Sequence, residues 1–290
     1  MAFDNSRIHS SIRKLRKSLK RASKRLAPED VHKLRTRIRR FAALHKAIGL
    51  ADQRNSRRLL RPLNYVRKKA GRIRDMDVLT VHLASLHSDT DQSCLTQLFE
   101  YLGAKRYRHA ARLRRFLRNK GPSLRKKLRR VSARLKGNRG RNNYKDSEAH
   151  AEVAAQVLQM AADLAQPAQL TKANLHPYRL KVKKFRDVIA MSAGGGDPKF
   201  ADALAKCKDA IGEWHDWEEL IAIAGKRLHH GLHCSLLGEL KATSKRKLDA
   251  ALSIAGKFRK SYIRLPGGKQ ADHPPKSPLP ALKTVSSLVP

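Results

Sequence analysis

Val31, Leu34, Ile38 and Phe41 fall at i, i+3, i+7 and i+10, the spacing of one buried helical face. The pattern returns 144 residues later at Leu175, Tyr178, Val182 and Phe185. Helical spacing also runs through Ile12, Leu15 and Leu19, and no convincing strand alternation competes with it. The chain is therefore read as all-α.

Between the apolar positions lies an unusual amount of charge. The segment VHKLRTRIRRF at 31–41 has no acid, and neither has LHPYRLKVKKF at 175–185. His32, Arg35 and Phe41 match His176, Arg179 and Phe185 at the same offset of 144, with Arg37, Arg39 and Arg40 opposite Lys181, Lys183 and Lys184. A second pair follows each: GRIRDMDVL at 71–79 and GEWHDWEEL at 212–220, where Gly71, Asp75 and Leu79 match Gly212, Asp216 and Leu220 at an offset of 141. Two matched segments in the same order predict a duplicated helical unit.

Breaks are expected where glycine and proline fall. Gly71 should separate a helix over 52–70 from its successor, Gly121-Pro122 should end a helix begun near Asp91, and helices at 198–210 and 212–228 should part at Gly212. This gives repeat one at about 30–120, connecting helices at 122–165, and repeat two at about 174–260. The Pro-, Gly-, Ser- and Lys-rich residues 265–290 read as a disordered tail.

On a helix, His32, Arg35 and Arg39 stack on the stripe beside the apolar one, rising about 5.4 Å per turn, with Arg40 adjacent. His176, Arg179, Lys183 and Lys184 repeat the arrangement. A cationic stripe bordering a core stripe belongs at the rim of a groove. Arginine offers phosphate a planar fork of donors, lysine a point charge, and histidine one further donor. Surface charge normally mixes both signs, so two acid-free copies favour a ligand-facing role over a merely solvated face. Asp75 and Asp216 are read as partners that hold the cations in place, in preference to catalytic carboxylates.

Composition agrees. Lys and Arg number 64 against 24 Asp and Glu, a formal charge of +40 that repels itself unless an anionic partner offsets it. Three cysteines, Cys94, Cys207 and Cys234, are too few and too scattered for a disulfide scaffold and suit a reducing cytoplasm. Neither a signal peptide nor an apolar run long enough to span a bilayer is evident.

The two histidine segments, each followed by its own glycine–aspartate segment, resemble the CHAD family, the conserved histidine α-helical domain, over about residues 5–262. The second copy departs at Pro177, Tyr178 and Trp214-His215. The resemblance implies two pseudo-symmetric four-helix bundles around a basic central cavity that binds inorganic polyphosphate. Carried over by position, it implies His32, Arg35, Arg39 and Arg40 on one wall and His176, Arg179, Lys183 and Lys184 on the other. It further implies targeting to polyphosphate granules.

Three other readings compete. Charge alone does not separate polyphosphate from nucleic acid, but aromatics make up only 5% and no standard nucleic-acid motif occurs. Against an enzyme stands the lack of a P-loop, an HExxH or a nucleophile elbow. The glutamate pattern of the triphosphate-processing domain often fused to the family is also not seen. HHGLHC at 229–234 is read as a turn between helices, with no metal or cofactor expected. Membrane association through the first basic helix is the weakest alternative.

Overall fold

The apolar stripes are buried as their spacing requires. Val31, Leu34, Ile38 and Phe41 are shielded from solvent, and so are Leu175, Tyr178, Val182 and Phe185. The computed structural model describes residues 5–47, 54–86, 92–137, 158–189, 197–228 and 235–263, and every regular element among them is helical. In chain order these are α1 (Asn5–Ala22), α2 (Pro28–Ala47), α3 (Arg54–Ala84), α4 (Gln92–Gly137), α5 (residues 158–165), α6 (Lys172–Ile189), α7 (Pro198–Arg227) and α8 (Ser235–Tyr262). The HHGLHC segment, the tail from 265 and most of the loop after α4 lie outside the described residues.

The chain divides into two compact units. Unit 1 holds residues 1–142 with 227–236, and unit 2 holds 143–226 with 237–290. In unit 1, α1 and α3 each pack on both α2 and α4, closing a four-helix bundle. Its core joins Leu15 and Leu19 of α1, Leu34 and Ile38 of α2, Leu63 and Val66 of α3, and Leu113 and Leu117 of α4. Polar ties fix the register. The Arg106 guanidinium of α4 donates to the Asp77 carboxylate of α3 at 2.5 Å and to the Leu26 carbonyl at 2.9 Å. Asp30, buried in the first turn of α2 where the helix dipole favours an anion, pairs with Arg21 at 3.1 Å.

In unit 2, α5, α6, α7 and α8 share one core built from Leu164, Tyr178, Val182, Phe200, Leu204, Trp214 and Phe258. Arg259, almost wholly buried, donates to the Ala165 carbonyl at 2.6 Å and to the Ala168 carbonyl at 3.2 Å. It thus meets the Ala165 carbonyl at the end of α5 and a carbonyl of the segment that follows.

The breaks expected at Gly71, Gly121-Pro122 and Gly212 are not there, and Pro62 does not interrupt its helix either. α3 runs through Pro62 and Gly71, α4 through Gly121-Pro122, and α7 through Gly212. The physical reason is the unbroken apolar period across each point. Leu59, Leu63, Val66, Ala70 and Ile73 are buried in α3, Leu117, Leu124 and Leu128 in α4, and Leu204, Cys207, Ile211 and Trp214 in α7. Burial of such a face outweighs the ~1 kcal/mol glycine penalty and offsets the ~3 kcal/mol cost of an interior proline. At Pro62 the helix also recovers something, since Lys127 Nζ approaches the Arg58 carbonyl that proline releases, at 3.5 Å. Among the described residues each unit holds four helices.

Candidate functional site

The histidine helix of each unit presents its cations along the edge of the core. On α2, Arg35 and Arg39 are half-buried while His32 and Arg40 are exposed; on α6, His176, Arg179 and Lys183 are half-buried while Lys184 is exposed. The core stripe sets this gradation, because a residue one step round the helix from a buried leucine keeps its stem in the protein and its head in water.

The two matched segments meet inside each unit, and in unit 2 a glycine is what lets them meet so closely. In unit 1 a Cβ placed on Gly71 would lie 3.9 Å from Arg35 Cζ, an ordinary contact. Arg35 Nη1 stands 3.9 Å from Asp75 Oδ1, one turn further along α3. In unit 2 the approach is closer: a Cβ on Gly212 would fall 2.6 Å from Arg179 Nη2 and 3.0 Å from its Nε. The guanidinium thus lies against the bare backbone of α7, where no other residue would leave room. Gly212, which looked like a helix break, is a seat for arginine.

The unit 1 face is crowded with like charge. Burial lowers the His32 pKa below its usual value, and Arg74, Arg35 and Arg39 lower it further. Burial also lowers the Arg35 pKa; Asp75 opposes this, while Arg39, Arg67 and Arg74 add to it. Two unit charges 8 Å apart repel by roughly 2 kcal/mol at an effective dielectric near 20, so the face holds electrostatic energy that an anion would relieve.

The unit 2 face is built differently. The ring of His176 packs on that of His215, with centroids 4.1 Å apart and planes tilted by 44°. His176 Nδ1 and Arg179 Nε are buried without a hydrogen-bond partner. Burial lowers the His215 pKa, His176 and Arg179 lower it further, and Asp216 and Glu218 oppose them. Glu218 accepts from the Ser244 hydroxyl at 2.6 Å and pairs with Lys172 at 2.9 Å. Burial alone would raise the Glu218 pKa, but Ser244, Lys172 and His215 outweigh it and hold it below the usual range.

The structure sorts cations that the sequence placed together. Arg37 and Lys181 hold matched positions, yet both turn away to the preceding helix. Arg37 donates to the Lys14 carbonyl at 3.0 Å and to the Ser18 hydroxyl, and Lys181 donates to the carbonyls of Asp163 and Gln166 at 3.1 and 3.3 Å. Conversely, Arg67, Arg74 and His215 belong to the two faces and were not among the expected residues. Their signal was present: Arg74 and His215 occupy the same place in the two glycine–aspartate segments.

Among the described residues no group of His, Cys, Asp and Glu is arranged to hold a metal ion, and no helix is long and apolar enough to cross a membrane. The model of the CHAD domain matches residues 6–225. The chain belongs to the CHAD family. The match begins within α1 and ends inside α7, so α8, which completes the unit 2 core, lies beyond it. No curated protein of similar sequence was found.

Proposed function

We propose that this CHAD protein binds inorganic polyphosphate, without catalysis, through the cationic faces of α2 and α6. The observation that carries the reading is the acid-free histidine segment, present twice at 31–41 and 175–185, whose inner arginine lies in each unit beside a glycine of the neighbouring helix. His32, Arg35, Arg39 and Arg40 form the unit 1 face, and His176, Arg179, Lys183 and Lys184 the unit 2 face. The CHAD family's general association with polyphosphate supports the choice of ligand. A long polymer can engage both faces, and linked engagement multiplies affinity without new contacts.

A binding role also agrees with where the reactive groups stand. Asp75 faces Arg35, and Glu218 is held by Ser244 and Lys172. Cys207 is buried, which pushes its thiol up to about 12 and keeps it protonated. Attachment to polyphosphate granules inside the cell would follow from the same affinity.

The test is charge reversal. Replacing Arg35, Arg39, Arg179 and Lys183 together by glutamate should abolish binding of long-chain polyphosphate while the helical circular dichroism signal persists. Wild-type affinity in that variant would refute the assignment. Competition at near-physiological salt separates polyphosphate from the rival ligands: duplex DNA or single-stranded RNA displacing labelled polymer as well as unlabelled polyphosphate does would establish a general polyanion binder.

A further inference from the structure

Arg74 and His215 hold one place in the two glycine–aspartate segments, each just before its aspartate. In unit 1 that place carries a permanent charge beside His32. In unit 2 it carries an imidazole packed ring to ring on His176 at 4.1 Å. The neighbouring substitutions run the same way. Arg72 of unit 1 corresponds to Glu213, which pairs with Lys247 of α8 at 2.7 Å.

The groups facing the histidine pair can be named. From α6 come Arg179 and, through Glu218, Lys172; α7 itself supplies Asp216 and Glu218; α8 supplies Ser244 on Glu218. Asp216 and Glu218 thus act against Arg179 at His215, and the place that is permanently charged in unit 1 is charged here only when the His215 imidazole carries a second proton. On the unit 1 face Arg35, Arg39 and Arg74 act on His32, and Arg67 and Asp75 act on Arg35.

We propose that His176 and His215 form a proton-operated phosphate clamp, in which the stacked pair takes up protons as a phosphate group settles against both rings. Unit 2 then grips polyphosphate under mildly acidic conditions and loosens its hold above neutrality, whereas the unit 1 face grips under both. This rests on the polyphosphate reading above. Without ligand, a second charge on the pair is opposed by the first and by Arg179. A phosphate whose oxygens accept from both imidazoles reverses that balance. The protons come from solvent, and no covalent step is involved.

The experiment is calorimetric titration of the full chain with long-chain inorganic polyphosphate at about pH 6 and about pH 8, the range in which histidine changes charge. Two buffers of different ionisation enthalpy at each pH give the protons taken up. Each linked proton changes affinity by up to about tenfold per pH unit, so wild type should bind at least about tenfold more tightly at the lower pH. His215→Arg should take up fewer protons and lose most of that dependence while binding at pH 8 at least as tightly as wild type. His215→Gln, neutral throughout, should bind at both values only as tightly as wild type does at pH 8, held by the unit 1 face, and Arg74→His should gain pH dependence. Circular dichroism confirms folding of each variant. Equal proton uptake and equal pH dependence in wild type, His215→Arg and His215→Gln would overturn the clamp and leave the polyphosphate reading standing. Wild type failing to bind at either pH would overturn both.

Discussion

Gly71→Ala and Gly212→Ala are the same change at matched positions, yet the structure predicts opposite consequences. Both glycines are buried in the middle of a long helix, where alanine is favoured over glycine by about 0.5–1 kcal/mol. At 71 the new methyl meets Arg35 Cζ at 3.9 Å, an ordinary contact, so the helical gain is kept in full. For a unit of this size, that gain raises the melting temperature by about 1–4 °C. At 212 the methyl would stand 2.6 Å from Arg179 Nη2 and 3.2 Å from its Cζ, so the guanidinium must leave. Its side chain is flexible enough to move, but its packing against α7 is lost, and the stability gain falls to about zero. The larger effect is on ligand. A charge-assisted hydrogen bond contributes about 1.5–3 kcal/mol, so misplacing Arg179 should weaken polyphosphate binding about tenfold or more, while Gly71→Ala leaves it unchanged. Thermal melts followed by circular dichroism, with fluorescence anisotropy of labelled polyphosphate, measure both quantities. Equal stabilisation of the two variants with wild-type affinity in each would refute the idea that Gly212 is a seat for Arg179.

Other outcomes follow from the polar ties and the histidines. Arg259→Leu should destabilise unit 2 by about 2–4 kcal/mol, because the Ala165 and Ala168 carbonyls lose their buried donor; urea melts report it. Asp77→Ala leaves the Arg106 guanidinium without its carboxylate and should cost unit 1 about 2–4 kcal/mol, whereas Asp75→Ala, at an exposed and longer pairing, should cost under ~1 kcal/mol. His32, His109 and His215 all have pKa values lowered in the folded chain, by burial first and then by neighbouring positive charge. The unfolded chain therefore binds protons more readily near pH 6.5, so their contribution is intact above that value and is lost as pH falls through the lowered folded values. Urea melts from about pH 8 to about pH 5 should show declining stability, and polyphosphate should reduce the decline.

The sequence was most readable where one period explained each residue. Val31, Leu34, Ile38 and Phe41, like their counterparts in α6, are core because no other placement satisfies their spacing. It was least readable where a residue has two physical meanings. Gly71 and Gly212 break helices by propensity, yet here they sit in unbroken helices facing an arginine, and nothing within α3 or α7 announces what α2 or α6 brings. Arg37 and Arg39 looked alike for the same reason: only the position of α1 shows that Arg37 is tied to Ser18. His215 was visible as a departure from its matched arginine, but its contact with His176 needed the packing of α6 on α7.

The gradation of exposure along the histidine helices has a kinetic consequence. Arg40 and Lys184 stand in solvent with their rotamers free, whereas Arg179 lost much of its rotamer freedom when the chain folded onto Gly212. A polyanion reaching either helix meets the mobile outer cations first, an encounter accelerated by long-range attraction and slowed by salt. It then settles on inner groups whose ordering entropy was already spent during folding. Association is thus governed by the exposed tips and residence time by the seated guanidinium, so substitutions at Arg40 or Lys184 should alter how fast the polymer arrives, and those at Gly212 how long it stays.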